Sequence, residues 1–189
     1  MLIGVLGLQG DYREHQQLLS DLGVQSIKVR RPSELEEIDA LIIPGGESTA
    51  MSNLAKSFGL FPALRAFAKV KPVLGTCAGL IMLSDEVEGA IAGQEFIGGL
   101  PIKVSRNAYG GQTHSFESEV DFGTEKEKVA FIRAPKILDA SKSEVLATLN
   151  GEPVAVKSGH LFGASFHPEI TGSKFLHNLF LEHCKKTKD

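Results

Sequence analysis

The chain has 189 residues with 42% hydrophobic and 23% charged side chains, fractions that fit one folded domain and exclude a disordered protein. Its formal net charge is −3 and its 20 Lys and Arg residues are scattered, which argues against a nucleic-acid surface. No apolar run approaches the roughly 18 residues that a membrane-spanning helix needs, so we expect no membrane partner. Two cysteines without a disulfide framework favour a cytoplasmic location.

Strands and helices alternate along the first half of the chain. The opening segment Met1–Leu8 is apolar but short and has no basic lead-in, so it predicts a β-strand rather than a signal peptide. Strands rich in Val, Ile and Leu between helices are typical of a parallel sheet covered on both faces. The predicted strands are Leu2–Leu8, Val24–Arg30, Ala40–Ile43 and Val73–Gly75, and the predicted helices are Asp11–Leu22, Ala50–Phe58 (with Ser48 or Thr49 as its cap) and Phe61–Ala68.

The second half of the chain consists mainly of short β-segments with close turns. Asn150-Gly151, between two of these segments, is a strong hairpin signal. We find no repeat or linker and expect a single α/β domain over residues 1–189, a three-layer sandwich whose mainly parallel central sheet carries appended antiparallel strands. The predicted strands are Ile102–Ser105, Ser115–Val120, Val129–Arg133, Glu144–Leu149, Glu152–Lys157 and Leu161–Phe166, and a last helix covers Ser173–Cys184.

Cys77 lies where an apolar strand runs into the small residues Gly-Thr-Cys-Ala-Gly and a helix begins. A side chain on such a sharp strand-to-helix turn is exposed at the top of the sheet, as in a nucleophile elbow. The amino end of the helix behind it leaves N–H groups unpaired and carries about half a positive charge, which favours the thiolate. We therefore predict that Cys77 is a nucleophile.

His167 and Glu169 are the base and the orienting carboxylate that such a cysteine needs. Pro168 disfavours helical backbone at His167, and residues i and i+2 of an extended chain point the same way, so Glu169 can orient the imidazole. Thiolate attack on a carbonyl group creates an oxyanion. The backbone N–H groups of Gly46 and Ala78 are the natural donors for it.

The ends of three predicted strands bring these groups together. Gly45-Gly46 follows one strand, Cys77 a second and His167 a third, and ligands of open α/β sheets bind beyond the carboxyl ends of the strands. Taken singly, each feature has a plainer explanation, namely a buried cysteine, a tight loop and a turn. Their convergence in one small domain favours a catalytic site.

Several short motifs are dispersed along essentially the whole chain. They are PGGEST at 44–49, GTCAG at 75–79, SFHPE at 165–169, GLQG at 7–10 with REH at 13–15, RNAYG at 106–110, SFE at 115–117 and FIRAP at 131–135. The first three resemble the class I, triad-type glutamine amidotransferases. The others resemble one branch of that family, the glutaminase subunits of pyridoxal 5′-phosphate synthase. The resemblance implies the flavodoxin-like fold of that class.

The resemblance also implies a reaction and a substrate, L-glutamine. Cys77 attacks the side-chain amide, His167 protonates the leaving ammonia, and the glutamyl thioester is hydrolysed to glutamate. Because glutamine is a zwitterion, Arg106 and Arg133 suit its carboxylate and Glu47 its ammonium, with backbone contacts as the alternative; taken alone, each arginine is a solvated surface charge. The residues that the resemblance assigns to glutamine are Gly46, Glu47, Ser48, Arg106, Ile132 and Arg133.

A larger synthase partner, a (β/α)8 barrel, receives the ammonia in this family. The resemblance therefore implies this barrel as a partner in a hetero-oligomer, and a glutaminase that is weak until docked. Ammonia is protonated and lost in bulk water, so delivery through a sealed interface has a physical motive. Gln9-Gly10, at the end of the first strand, lies on the active-site edge, and we expect it to respond to docking.

Some residues depart from the family pattern or fall outside it. Gly111 stands where the family commonly has Arg, and His114 stands where an acidic residue is usual, which affects substrate contact or docking rather than the triad. The remaining histidines have no convincing metal-ligand spacing and are predicted to be structural, so we expect no metal and no cofactor. They are His15, His160, His177 and His183.

Two other functions are open at this point. The glutaminase subunit of imidazole glycerol phosphate synthase has the same size and triad, but the RNAY and FIRAP stretches argue against it. A non-hydrolytic stress or chaperone protein of the single-cysteine α/β type places an acid beside the cysteine from the loop after the first strand. This chain has Gln9 there.

Overall fold

The computed structural model describes residues 1–106 and 115–187, which contain twelve strands in two sheets. The large sheet has nine strands and the small sheet three. The strands are β1 (Leu2–Leu6), β2 (Gln25–Val29), β3 (Ala40–Ile43), β4 (Val73–Thr76), β5 (Ser84–Glu88), β6 (Leu100–Ser105), β7 (Ser115–Asp121), β8 (Lys126–Ile132), β9 (Lys136–Asp139), β10 (Glu144–Leu149), β11 (Glu152–Ser158) and β12 (Leu161–Ala164).

The large sheet is parallel in one part and antiparallel in the other. Its order is β2-β1-β3-β4-β12-β11-β10-β7-β8, and the first five strands in this order run parallel to one another. The pairs from β12 to β8 are antiparallel. A parallel core with appended antiparallel strands is therefore confirmed. In the parallel part β3, β4 and β12 are adjacent, so their carboxyl ends meet at one edge.

Helices cover both faces of the large sheet and give the predicted three layers. One apolar cluster joins α1 and α6 to one face through Leu19 and Phe180, and a second joins α2, α3 and α4 to the other through Met51 and Leu64. No helix among residues 1–106 and 115–187 is long and apolar enough to cross a membrane. The helices are α1 (Tyr12–Asp21), α2 (Ser48–Ser57), α3 (Phe61–Ala68), α4 (Ala78–Leu83), α5 (Pro168–Thr171) and α6 (Phe175–Lys186), with a 3₁₀ turn at Pro32–Leu35.

The structure corrects several expected boundaries. Neither Ser48 nor Thr49 caps α2; the cap is Glu47, whose carboxylate accepts from the N–H groups of Thr49 and Ala50. The strands β5 and β9 were not predicted, and they pair with β6 to form the small sheet. The sequence of β5 is Ser-Asp-Glu-Val-Glu, mostly polar and exposed, so it lacks the apolar signal of a buried strand.

Candidate active site

Cys77 occupies the turn between β4 and α4 in a backbone conformation that few side chains adopt. Its φ is +49° and its ψ is −102°. The turn is held because the N–H of Cys77 donates to Ala164 O at 2.8 Å, and the N–H of Ile81 donates to Cys77 O at 3.2 Å. A Cβ added to Gly79 would lie 2.0 Å from Ile43 O, so only glycine lets the helix approach β3. This is the strand–turn–helix corner expected from the sequence.

His167 follows β12 and stands at the amino end of α5. Its backbone is extended, with φ −110° and ψ 91°, and its N–H donates to Ala130 O of β8 at 2.7 Å. The ring is buried, and Nδ1 lies 2.8 Å from Glu169 Oε1. The expected pairing is present, but the expected route to it is wrong. Glu169 lies in the first turn of a short helix that begins at Pro168, rather than in extended chain.

The imidazole of His167 lies among three acidic or nucleophilic groups. Asp11 Oδ2 is 3.2 Å from Nδ1, and Glu169 shares that nitrogen. Burial alone lowers the pKa of His167, but hydrogen bonds with Asp11, Cys77 and Glu169 outweigh burial and raise the pKa to about 12. The ring is therefore held as an imidazolium against the sulfur of Cys77.

Asp11 was missed by the sequence analysis. It is the N-terminal flanking residue of α1, and its N–H donates to Gly45 O at 3.2 Å. The hydrogen bond with His167 lowers the pKa of Asp11 against the effect of burial, in keeping with a charge pair. The only available signal was its position directly after Gln9-Gly10, at the carboxyl end of β1.

The double-glycine loop after β3 is pressed between two side chains. A Cβ on Gly45 would lie 2.2 Å from Cε1 of His167, and a Cβ on Gly46 would lie 2.3 Å from Oε1 of Gln9. Gly46 also has a φ of +148°, which side chains disfavour. Gln9 Oε1 accepts a hydrogen bond from the N–H of Glu47 at 2.8 Å. Gln9, in the loop after β1, therefore holds the double-glycine loop in place. We call this second loop the oxyanion loop, because the N–H group of Gly46 is a predicted oxyanion donor.

An open pocket of about 390 Å³, solvent at its mouth included, lies in front of Cys77. Five of the six predicted glutamine-binding residues line the pocket, and the carbonyl oxygen of the sixth, Ile132, is 3.8 Å from Cys77 Sγ. The lining residues are Gly46, Glu47, Ser48, Cys77, Ile81, Arg106 and Arg133.

Glu47 and Arg106 form an ion pair in the pocket wall. Nη2 of Arg106 lies 3.1 Å from Oε1 of Glu47 and 2.9 Å from Oγ1 of Thr49, and Nη1 donates to Gln94 Oε1 at 2.8 Å. Burial raises the pKa of Glu47, but backbone N–H groups of Thr49 and Ala50 and the charge of Arg106 outweigh it and lower the pKa. The ammonium group of a substrate would therefore share the carboxylate of Glu47 with Arg106.

Arg133 is the second arginine of the pocket. It comes directly after β8 with a φ of +47°, a strained conformation for an L-residue of the kind that concentrates at functional sites. Its neighbour Ile132 presents the carbonyl oxygen that approaches the sulfur. The rest of the RNAYG motif after Arg106 lies outside the described residues. The two departures from the family pattern, Gly111 and His114, lie outside them as well.

Three possible metal ligands, from Asp11, His167 and Glu169, lie within 4.8 Å of one another. The 2.8 Å contact between Nδ1 of His167 and Oε1 of Glu169 is a hydrogen bond. A metal ion there would have to replace the proton that orients the imidazole. The arrangement therefore suits a triad better than a metal site.

Comparison with known proteins gives matches over nearly the whole chain. A family model described as the SNO glutamine amidotransferase family matches residues 5–186. A pyridoxal 5′-phosphate synthase subunit PdxT from Leifsonia xyli subsp. xyli is 49% identical, over 95% of this chain and 93% of that protein. One of the same name from Thermosipho africanus is 47% identical, over 98% of this chain and 100% of that protein.

Solved structures show the same fold. One described as a glutamine amidotransferase has a TM-score of 0.90 and 41% identity, and the match covers 97% of this chain and 98% of that one. A putative GMP synthase protein from Thermoplasma acidophilum has a TM-score of 0.66 at 17% identity, covering 100% and 96% of the two chains. That second likeness concerns the fold alone. The expected class I glutamine amidotransferase-like architecture is confirmed.

Proposed function

The chain belongs to the SNO glutamine amidotransferase family, and we propose that it is the glutaminase subunit of a pyridoxal 5′-phosphate synthase, hydrolysing L-glutamine to L-glutamate and ammonia. The observation that carries this is the 2.8 Å pairing of His167 with Glu169 next to a pocket that Cys77 and five of the six predicted glutamine-binding residues line. The relatives with this name are 47% and 49% identical over nearly all of the chain.

The two alternatives have less support. The relatives described above carry the name of the pyridoxal 5′-phosphate synthase subunit, which disfavours the imidazole glycerol phosphate synthase. A single-cysteine stress protein needs an acid beside the cysteine. Here the acid after the first strand, Asp11, lies 3.2 Å from the imidazole of His167.

The first half of the reaction forms a thioester. The thiolate of Cys77 attacks the side-chain amide carbon of glutamine, and the negative charge passes to the amide oxygen, where the N–H groups of Gly46 and Ala78 stabilise it. The imidazolium of His167 then gives its proton to the amide nitrogen, the carbon–nitrogen bond breaks, and ammonia leaves. Glu169 keeps the ring oriented and balances its charge.

The second half of the reaction frees the sulfur of Cys77 from the thioester. His167, now neutral, takes a proton from water, and the resulting hydroxide attacks the thioester carbonyl. The same N–H donors stabilise the second oxyanion. Collapse of this intermediate breaks the carbon–sulfur bond, releases glutamate and returns the thiolate–imidazolium pair.

The pocket supports a binding mode for the zwitterionic end of glutamine. Arg133 and Arg106, which both line the pocket, are the cations for the α-carboxylate. Glu47 and the carbonyl oxygen of Ile132 accept from the α-ammonium, while Ser48 and Gly46 lie along the pocket wall. The Arg106–Glu47 pair is already neutral, so this mode needs no uncompensated buried charge.

The ammonia passes to the synthase partner, a (β/α)8 barrel with which the single domain of residues 1–189 forms a hetero-oligomer. The names of the relatives support a synthase partner, and the family resemblance supports its barrel fold. The protein acts in the cytoplasm. This placement is supported by its two cysteines, Cys77 and Cys184, both free and buried.

The test is glutamate release by wild type and Cys77→Ala, each mixed with the barrel subunit. We expect activity to fall to background in Cys77→Ala, because no other group replaces the nucleophile. Cys184→Ala is the matched control, since this second cysteine is buried in α6 away from the pocket. Equal activity in wild type and Cys77→Ala would overturn the proposed function.

A further inference from the structure

His15, on α1, makes contacts that a purely structural histidine does not need. Its side chain is fully buried, and both ring nitrogens face polar atoms. Nδ1 lies 3.0 Å from Nε2 of His177 on α6. Nε2 lies 3.1 Å from Oγ1 of Thr76 and 3.4 Å from Oε2 of Glu169. The ring therefore connects the helix layer to the outer oxygen of the triad carboxylate.

Both buried imidazoles are neutral. Burial, with the nearby charges of His177 and His167, lowers the pKa of His15 well below its usual value, and burial lowers the pKa of His177 to about 4. Across the 3.0 Å contact one nitrogen must carry a hydrogen and the other a lone pair. Two arrangements are possible, and they differ in which nitrogen of His15 carries its proton.

The surroundings select one of the two arrangements. If Nδ1 of His15 carried the proton, its bare Nε2 would face the carboxylate oxygen of Glu169, lone pair to lone pair. His177 would then carry its hydrogen on Nδ1, which is buried without a hydrogen-bond partner among residues 1–106 and 115–187. With the hydrogen of His177 on Nε2, the lone-pair repulsion at Glu169 is removed, and Nδ1 of His177 buries only a lone pair, which is tolerated better than an unpaired N–H group. His15 then directs Nε2–H between the hydroxyl of Thr76 and the carboxylate of Glu169.

The carboxylate of Glu169 has a need that this N–H meets. Its Oε1 is used by His167, while Oε2 is buried and has no hydrogen bond of ordinary geometry within the described part of the chain. Burial raises the pKa of Glu169, and the hydrogen bond and charge of His167 only partly offset it. Catalytic hydrogen bonds are often long in the free enzyme and tighten with substrate bound.

We propose that His15, fixed in its Nε2–H form by His177, is a positioning residue that donates a hydrogen bond to Glu169 and so holds the triad carboxylate ionised and oriented. The proposal rests on the proposed glutaminase function and adds an outer partner to its triad. Removing such a donor raises the pKa of Glu169, so that its carboxylate is ionised only at higher pH. The effect should therefore appear in turnover rather than in glutamine binding.

The first test compares His15→Phe with His15→Gln in the complex with the barrel subunit, measuring kcat and KM from about pH 5 to 9, the range in which neighbouring carboxylates and imidazoles titrate. We expect His15→Phe to lower kcat by roughly 10-fold or more, with KM within about two-fold, because a hydrogen bond to a charged group is lost. The acidic limb of kcat should move to higher pH. His15→Gln, which keeps an N–H donor, should restore part of both.

The pH effect has identifiable competitors. The titratable groups that face Glu169 are His167 beside it, His15 on α1 and Asp11 directly before α1. Leu19→Ala is the control for loosened packing, since Leu19 is buried on the same helix within an apolar cluster. We expect Leu19→Ala to lower the melting temperature and leave the acidic limb unmoved.

Several results would overturn the proposal. They are an unchanged kcat and acidic limb in folded His15→Phe, a His15→Gln variant no better than His15→Phe, or an equal shift in Leu19→Ala. If His15→Phe does not fold, nitrogen NMR of the wild-type ring decides. A neutral Nε2–H tautomer of His15 supports the proposal, and a charged or Nδ1–H ring refutes it. A wild-type complex without glutaminase activity would instead refute the proposed function, whatever the tautomer.

Discussion

At the level of single residues, the proton on His167 is the quantity that the site controls most strongly. Two carboxylates share Nδ1, at 2.8 Å from Glu169 and 3.2 Å from Asp11, and the sulfur of Cys77 completes the set. Burial lowers the pKa of His167, but hydrogen bonds with these three groups outweigh burial and raise the pKa to about 12. The imidazolium is present below this pKa and is lost as the pH rises through it. The proton that ammonia needs is therefore available across the neutral range.

Asp11→Asn should move the alkaline limb of kcat/KM to lower pH. The amide removes one of the negative charges that hold the proton on His167, and Asp11 is one-third exposed, so we expect a shift of roughly one pH unit. The measurement is the pH profile of glutaminase activity in the complex. Asp21→Asn, at the other end of α1, is the charge-matched control. An alkaline limb that does not move would show that Asp11 does not contribute to the proton affinity of His167.

At the level of elements, the connection between β1 and α1 contacts both halves of the machinery. Gln9 holds the oxyanion loop through the N–H of Glu47, at 2.8 Å, and Asp11 reaches the imidazole of His167. The N–H of Asp11 also bonds to Gly45 O, at 3.2 Å. A small movement of this connection would change the aim of the oxyanion donors and the orientation of the imidazole together.

Gln9→Ala should lower the glutaminase activity stimulated by the barrel subunit more than it lowers stability. The side chain that bonds to the N–H of Glu47 and packs against Gly46 is lost, so the oxyanion loop is less well held in the docked state. The measurement is glutamate release with and without the partner, beside thermal unfolding. Gln17→Ala, on the exposed side of α1, is the control. Unchanged stimulation in Gln9→Ala would rule out this role.

Gly79→Ala tests the close approach of α4 to the sheet. The added methyl would meet Ile43 O at 2.0 Å, and because the obstacle is backbone, the turn that carries Cys77 must shift. We expect a loss of about 1–3 kcal/mol in the free energy of unfolding and a severe loss of glutaminase activity. In the control Gly59→Ala the methyl meets no atom within 4 Å and only the positive φ is strained. Retained activity in Gly79→Ala would contradict the expected shift.

At the level of the whole molecule, the residues found from the sequence and those missed differ in how they are specified. Cys77, His167 and Gly46 each follow an apolar strand directly, so local pattern and the rule for strand ends were enough to group them. Asp11 and His15 act on groups that lie far away in the sequence, near the carboxyl end of the chain. Their contacts depend on how α1 packs against α5 and α6, which strand and helix periodicity does not specify.

The same distinction applies to the β-structure. The apolar strands of the large sheet were recognised because burial on both faces selects Val, Ile and Leu. The strand β5 was missed because its side chains are mostly polar and its partner β6 lies elsewhere in the sequence. Ser48 or Thr49 was the expected cap of a helix that begins at Ala50, but α2 begins at Ser48, so the cap position falls on Glu47.

The buried histidines make the stability of the whole fold depend on pH. His177 is fully buried, and burial lowers its pKa from the usual 6.5 to about 4. Below pH 6.5 the unfolded chain therefore binds a proton at His177, whereas the folded protein does not bind it until about pH 4. The free energy of unfolding should therefore decrease as the pH is lowered through this window. The contribution of His177 alone is about 2 kcal/mol between about pH 7 and pH 5.

The measurement is the free energy of unfolding in urea at about pH 5, 6 and 7, for wild type and His177→Phe. The raised pKa of His167 acts in the opposite sense, since its protonated form is favoured by the fold, so the wild-type profile is a sum of both effects. The difference between the two proteins removes the contribution of His167, which is common to both, and reports His177 together with its effect on His15. We expect the profile of His177→Phe to be flatter towards the acidic end. Two parallel profiles would mean that the folded protein accepts a proton at His177 without cost, which a fully buried imidazole facing His15 does not allow.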